Sequence, residues 1–553
     1  MPLLPTGKRA RWIVCTLVIS RITNALFTRT FFQADEFWQA LEPAHFKAFG
    51  YGTLTWEWQY GLRSYAFPFL FELAYRSISL ISRMARHWLG DEAGSLFEYY
   101  GVIYAPKIMM AIIAALGEFY TIMFVRKLYL LSFDKKDDII PHEDWVVTRI
   151  TMFLTLTNFF NCFLITRTFI NCFEMCLTAV ALYYWDWSGG EEIYGSDFTK
   201  SLVVALFACW QRPTNGLVWL VLGGYLVATL ASKGCYNKIM YLIVKTALAF
   251  ALVILFSTVI DFYFYGRLIF PPILFFKFNV MSPLSSFYGT NQWHFHITQS
   301  LPLMLNYNIP LFFLGIWAVC ASKQAKAKIW IQVVAVIFFN LLAYSILSHK
   351  EFRFIYPLQP LCMAISAFGA LKLKQGYTIK HFTFVIPVIS VISAMLLIRY
   401  HESGTISVIK YLHGKPSVDS IGFLMPCHST PWQSYLHRSD IDNLWAITCD
   451  PPLHLIDDPD ADQKLPNYMD ESDFLYEDVF HFITHAFPPF ENGVQQQAHL
   501  HSWPEYLVVF EHLEKAFLKE YLKKNYREEI RFFNSLAHWD SRRQGDVIVY
   551  HKL

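Results

Sequence analysis

What most constrains this chain is a succession of long apolar runs. A membrane crossing needs about 20 mostly apolar residues, because the hydrocarbon core is about 30 Å thick and a helix rises about 1.5 Å per residue. Runs of this kind lie at about 12–27, 104–126, 146–164, 170–186, 199–212, 215–231, 239–261, 308–322, 329–346, 354–371 and 382–398. Lipid cannot hydrogen-bond a backbone, so each run must satisfy its own N–H and C=O groups as a helix. The reading is an all-α polytopic membrane protein with about eleven transmembrane helices over residues 1–399. Composition agrees: 54% of the 553 residues are hydrophobic and only 16% are charged, against about 25% charged in soluble domains. A net charge of +2 gives no reason to expect a nucleic-acid partner.

Basic residues set the expected orientation. Lys8, Arg9 and Arg11 precede the first run, and Arg21 interrupts it with no small-residue cleavage site after it, which favours an uncleaved span over a signal peptide. The connections carry Arg126, Lys127, Lys135 and Lys136; Lys233 and Lys238; Lys323, Lys326 and Lys328; and Lys372, Lys374 and Lys380. All four fall on the N-terminal, cytoplasmic side under the positive-inside rule, provided that the 65–82 stretch does not cross. That stretch contains Glu72 and Arg76 and reads as an interfacial helix in a long first lumenal loop, 30–103.

After about Tyr400 no run is long and apolar enough to span. Short strand-like runs, Gly422–Met425 and Asp546–Tyr550, alternate with an amphipathic stretch over 505–521. Residues 400–553 therefore read as a small α+β domain, placed in the lumen by the odd number of spans. Cys427 and Cys449 lie in it, and a disulfide between them is one reading if this side is oxidising. The other cysteines sit mostly in apolar runs, as small hydrophobes do.

On this topology the unusual polar residues collect on the lumenal side. Asp35 and Glu36 follow the first span among aromatics, where a carboxylate can accept a proton from a hydroxyl. Arg167 and Glu174 flank a short turn and suggest a supporting polar pair, and Arg212 sits in the turn of a tight apolar hairpin. Ionised groups there need a partner or a wet cavity. The Phe287–His296 loop offers aromatic faces for sugars; its His294 and His296 are a weak metal signal, outweighed by the absence of further ligands. Ser348-His349-Lys350-Glu351-Phe352-Arg353-Phe354 ends an apolar span on the side where a basic flank is unexpected, and His349, Lys350 and Arg353 suit a phosphate. No nucleotide-binding loop or hydrolase elbow is present, so both substrates of an enzyme of this kind would be lipids.

Five features occur in one order: the acidic pair, Thr166-Arg167-Thr168-Phe169 leading to Glu174, Arg212-Pro213-Thr214, Tyr288-Gly289 leading to Trp293-His294, and the His349–Phe354 motif. In this the chain resembles the eukaryotic mannosyltransferases that use dolichyl-phosphate mannose, glycosyltransferase family 22. Three passages, Tyr51–Trp58, Phe287–His294 and Phe423–Pro431, resemble the branch that acts on glycosylphosphatidylinositol (GPI) precursors. Asn291-Gln292 and Phe295-His296 depart from the usual pattern of that loop.

The resemblance implies a GT-C fold and an endoplasmic reticulum enzyme that adds the third mannose, in α1,2 linkage, to the GPI core by an inverting single displacement. It implies Asp35 as base, with Glu36 orienting it or sharing the role, since the sequence does not separate the two. It assigns the donor phosphate to His349, Lys350 and Arg353 with help from Arg212, and the acceptor path to Trp56, Trp58, Tyr288, Trp293 and His294. No metal or other cofactor is expected. The alternatives are an N-glycan mannosyltransferase of the same family and, in a different class, a lipid or solute transporter, whose site would lie near the bilayer midplane.

Overall fold

The computed structural model describes residues 7–132, 143–321, 327–376, 382–490 and 499–553. Lys135, Lys136, Lys323, Lys326 and Lys380 lie outside the described residues. The chain opens with α1 (Lys8–Phe27), α2 (Asp35–Trp38), α3 (Leu41–Phe49), α4 (Trp56–Tyr60), α5 (Ala66–Leu89) and α6 (Asp91–Leu131). It continues with α7 (Glu143–Thr157), α8 (Phe159–Leu164), α9 (Ile170–Tyr184), α10 (Ser196–Gln211), α11 (Gly216–Ser232) and α12 (Tyr236–Tyr265). Helices Ile309–Ala321, Ala327–Ile346, Gln359–Gly376 and Phe382–Tyr400 complete the bundle.

Among the described residues, 8 helices are long and apolar enough to cross a membrane. The other three expected spans form shorter helices. The 146–164 run breaks at Asn158, whose side chain caps α8 by accepting from the Asn161 N–H and donates to the Met304 and Leu305 carbonyls. A local capping bond competes with continuing the helix. α9 and α10 have 15 and 16 residues, about 23 Å of helix each. Each carries a buried polar residue, Glu174 on α9 and Gln211 on α10.

Several charges inside the bundle are paired. Arg21, which interrupts the first run, donates to both carboxylate oxygens of Glu118 on α6, one of them at 2.7 Å, and both residues are buried. Glu72 accepts from Arg76 at 2.7 Å, Tyr65 at 2.7 Å and Tyr263 at 2.6 Å. α5 folds back along the leading part of α6, with Ser82 and Arg86 both donating to Glu98, and Lys107 of α6 donates to Thr28 O at the end of α1. The hairpin so formed with α5 precedes the apolar part of α6, a helix long and apolar enough to cross a membrane. Its exposed Leu80, Met84, Trp88, Leu89 and Phe97 suit a membrane surface.

The bundle has two distinct ends. At one, Arg9 lies 5.2 Å from the Trp145 ring, Lys127 donates to the Tyr183 and Trp185 carbonyls, Lys238 to Gly190 O, and Trp330 to Ser132. At the other gather Asp35, Glu36, Arg167, Arg212, Lys350 and Arg353.

Beyond Tyr400 a helix, Gly404–His413, leads into a five-stranded sheet. Its strands are β1 (Ser420–Leu424), β2 (Asn443–Ala446), β3 (Tyr506–Phe510), β4 (Tyr526–Ser535) and β5 (Gly545–Lys552), in the order β2-β1-β3-β5-β4. β1 runs parallel to β2 and β3, while β5 runs antiparallel to β3 and β4. The amphipathic 505–521 stretch begins as β3, because Tyr-Leu-Val-Val-Phe is a continuous apolar run that suits a strand covered on both faces. Only from Glu511 does it turn helical. Cys427 and Cys449 are joined in a disulfide, with Cα atoms 5.8 Å apart.

Candidate active site

The first turn of α2 starts the site. Asp35 and Glu36 both occupy it, where negative charge suits the helix dipole. Successive helical residues diverge by about 100°, so the two carboxylates face different neighbours.

Asp35 faces the His349–Phe354 motif. Its Oδ2 accepts from Arg353 Nη2 at 2.5 Å. Arg353 also donates to Glu351 through Nη2 at 2.8 Å and Nε at 2.9 Å, and its guanidinium lies 5.0 Å from the Phe169 ring centroid. Glu351 accepts from Gln33 at 3.1 Å and contacts His349 Nε2 at 3.3 Å. Burial opposes the Glu351 charge, but Arg353 and His349 outweigh it and hold the carboxyl well below its usual range. Burial likewise works to lower the His349 pKa, and the Glu351 carboxylate more than reverses it. Lys350 donates to Asn291 O at 2.8 Å, and Asn291 Nδ2 donates back to Lys350 O at 2.9 Å. Among the described residues Lys350 has no carboxylate partner, and burial lowers its pKa. Asp35 keeps 26% of its side chain open, against 5% for Arg353.

Glu36 faces inward. Its Oε2 accepts from Arg167 Nη1 at 2.9 Å, and both side chains are enclosed. Arg167 also donates to Thr30 O, Thr30 Oγ1 and Phe163 O. This corrects the expected Arg167–Glu174 pair. Arg167 lies before α9 begins and points back to the first loop, while Glu174 on α9 accepts from Asn215 at 2.9 Å and lies 3.5 Å from Arg212. The two acids thus take one arginine each. Arg212 is buried beneath the Phe354 ring, 5.3 Å from its centroid.

The aromatic residues divide. Trp56 stacks on Tyr288 at 6.3 Å and 12°, and Tyr288 is 44% exposed, which leaves an open platform next to His349. Trp58 does not line a path: it is enclosed by Tyr65, Phe264 and Tyr265, and its Nε1 donates to Trp38 O at 3.0 Å. Trp293 and His294 lie on the outer surface of their loop, their rings against each other, with His294 held by Gln292 and Thr298. His296 turns inward to Ser300, so the two histidines diverge and offer no shared metal position.

Sequence reasoning missed Glu57 and Arg63. Glu57 accepts from Arg63 at 2.7 Å and Gln39 at 3.3 Å, and burial, with the nearby Asp35 charge, pushes its carboxyl up. The available signal was an acid between two tryptophans in Trp56-Glu57-Trp58. Among the described residues, the group of three close metal-type ligands is Cys427, His428 and Cys449. With the two sulfurs joined in a disulfide, no thiolates remain for a metal there.

Residues 12–437 match the model of the Alg9-like mannosyltransferase family. The chain belongs to this family. It is 51% identical to a Saccharomyces cerevisiae protein named GPI mannosyltransferase 3, over 96% of this chain and 94% of that one. It is 48% identical to the protein of that name from Candida glabrata, over 97% and 95%. Among solved structures it is similar to ArnT from Cupriavidus metallidurans bound to undecaprenyl phosphate, at 11% identity and a TM-score of 0.49, covering 99% of this chain and 98% of that one. The family match ends at residue 437, whereas the yeast relatives extend through the sheet as well.

Proposed function

We propose that this chain, a membrane mannosyltransferase by family, adds the third mannose in α1,2 linkage to the GPI-anchor precursor. The donor is dolichyl-phosphate mannose, and the reaction takes place at the lumenal face of the endoplasmic reticulum membrane. One observation carries the reading. The part-open carboxylate of Asp35 stands 2.5 Å from Arg353 of the cationic motif, in a chain half identical to GPI mannosyltransferase 3.

The chemistry follows from that placement. Asp35 takes the proton of the acceptor hydroxyl as its oxygen attacks the anomeric carbon of the donor mannose. The bond from that carbon to the phosphate oxygen breaks, inverting the centre, and dolichyl phosphate leaves. Lys350, His349 and Arg353 hold the leaving phosphate, an electrostatic task in a site sheltered from water. Arg353 also aims the Asp35 carboxylate through their hydrogen bond. Glu36 is the structural member of the acidic pair, and Arg212 supports from below through Glu174. Tyr288 on Trp56 is the sugar platform. Cations from side chains suffice for a lipid monophosphate leaving group, so the reading includes no metal or other cofactor. Among the described residues, Arg9, Lys127 and Lys238 make their contacts at one end of the bundle, away from Asp35 and Arg353, which supports a cytoplasmic N-terminus and a lumenal site and tail.

The test is mannose transfer by purified protein in proteoliposomes with EDTA present, given dolichyl-phosphate mannose and either a dimannosyl GPI precursor or a dimannosyl N-glycan precursor. Transfer to the GPI precursor alone is expected. Transfer to the N-glycan lipid alone refutes the acceptor assignment, and a requirement for added metal refutes the side-chain mechanism.

A further inference from the structure

The passage Met425-Pro426-Cys427-His428-Ser429-Thr430-Pro431-Trp432 has no part in the mechanism above, yet it is bolted to the catalytic loop. Trp38, at the end of α2, donates through Nε1 to Thr430 O at 3.0 Å. The Trp38 ring meets His428 edge-on at 4.7 Å and Trp432 at 5.6 Å. On the next helix, Glu42 accepts from the Trp432 N–H, the Ser434 N–H and the Ser434 hydroxyl. The disulfide from Cys427 to Cys449 fixes the other side of the passage.

Within it His428 holds a left-handed backbone, φ 52°, a conformation that costs energy outside glycine and persists where its surroundings enforce it. Its Nδ1 lies 3.6 Å from Cys449 Sγ. A disulfide sulfur has no proton to give, so Nδ1 carries the hydrogen and Nε2 is left as an acceptor. Among the described residues Nε2 has no partner. Burial, with Arg543 nearby, lowers the imidazole pKa to about 4, and only the Asp35 charge opposes it. The ring is therefore neutral and part-open, and it packs on Trp38 of the same short helix that carries the proposed base.

We infer that His428 is a ligand of the acceptor sugar: its Nε2 accepts a hydrogen bond from a hydroxyl of the acceptor next to Asp35, so the lumenal tail supplies one wall of the acceptor subsite. This rests on the glycosyl-acceptor reading above. It explains why a strained histidine is clamped between Trp38 and the disulfide.

The test uses the full chain in nanodiscs with His428→Phe, which keeps ring bulk but no acceptor, and His428→Gln, whose carbonyl restores one. For His428→Phe the KM for the dimannosyl GPI precursor should rise roughly tenfold, with the KM for dolichyl-phosphate mannose and the thermal unfolding midpoint unchanged. His428→Gln should recover most of the loss. Wild-type KM values in His428→Phe, or a rise in both KM values together with lower thermal stability, overturn the inference. If the wild type transfers no mannose at all, the proposed function fails separately. Saturation-transfer NMR with an octyl dimannoside then decides: binding by wild type and not by His428→Phe upholds the ligand role, and any other pattern overturns it.

Discussion

Replacing each member of the acidic pair should give opposite phenotypes. Asp35→Asn removes one carboxylate charge from a part-open position. Arg353 is not stranded, because Glu351 still accepts from it twice, so the variant should fold and unfold near the wild-type temperature. Loss of a general base slows a reaction by about 10²–10⁴, or about 3–5 kcal/mol in the barrier. Glu36→Ala removes the partner of an arginine that is 1% exposed. Breaking a buried pair in this way costs about 3–5 kcal/mol of stability, a large share of the 5–15 kcal/mol typical of a folded protein. The assay is thermal unfolding in detergent, followed by transfer rate per folded molecule. Glu36→Ala should lose its folded fraction, with the molecules that remain folded still active. A stable but inactive Glu36→Ala beside an active Asp35→Asn would reverse the roles and refute the geometric argument.

Other outcomes follow from the same contacts. Arg353→Ala should weaken use of the donor more than of the acceptor, read from the two KM values; equal losses would make Arg353 only the counter-ion of Asp35. Replacing Cys427 and Cys449 together by Ser opens a loop of 22 residues, worth about 3 kcal/mol in the chain-entropy model. Limited proteolysis should then cut the tail before the bundle. Burial pushes the Glu42 carboxyl up to about 7 against its three donors. A raised carboxyl favours the folded state below its unfolded pKa and loses that advantage as pH rises toward 7. Unfolding of the wild type should therefore become easier from about pH 4.5 to 7, and Glu42→Gln should flatten that slope; an unchanged slope assigns it elsewhere. Tyr288→Ala should raise the acceptor KM and leave the donor KM alone, and the reverse would move the sugar platform to the donor side.

The sequence by itself determined the membrane class, the helical character of the bundle and the change at Tyr400. Apolar run length and the demand for internal hydrogen bonds are one-dimensional properties that lipid enforces without regard to neighbours. It also located the charged residues that matter, because an ionised group in an apolar setting is conspicuous wherever it folds. Their partners were another matter. Arg167 and Glu174 are close in sequence, yet each chose a partner elsewhere, since a turn points one side chain back to the first loop and a helix points the other to the turn between α10 and α11. The same holds for Asp35 and Glu36, adjacent and alike as letters, and divided by a helical rotation of about 100° into an open carboxylate and an enclosed one. Trp58 looked like Trp56, yet both are buried and only Trp56 stacks on the part-exposed Tyr288. The part played by the tail was the least legible of all: His428 meets Trp38 across almost four hundred residues of chain, and only packing brings such residues together.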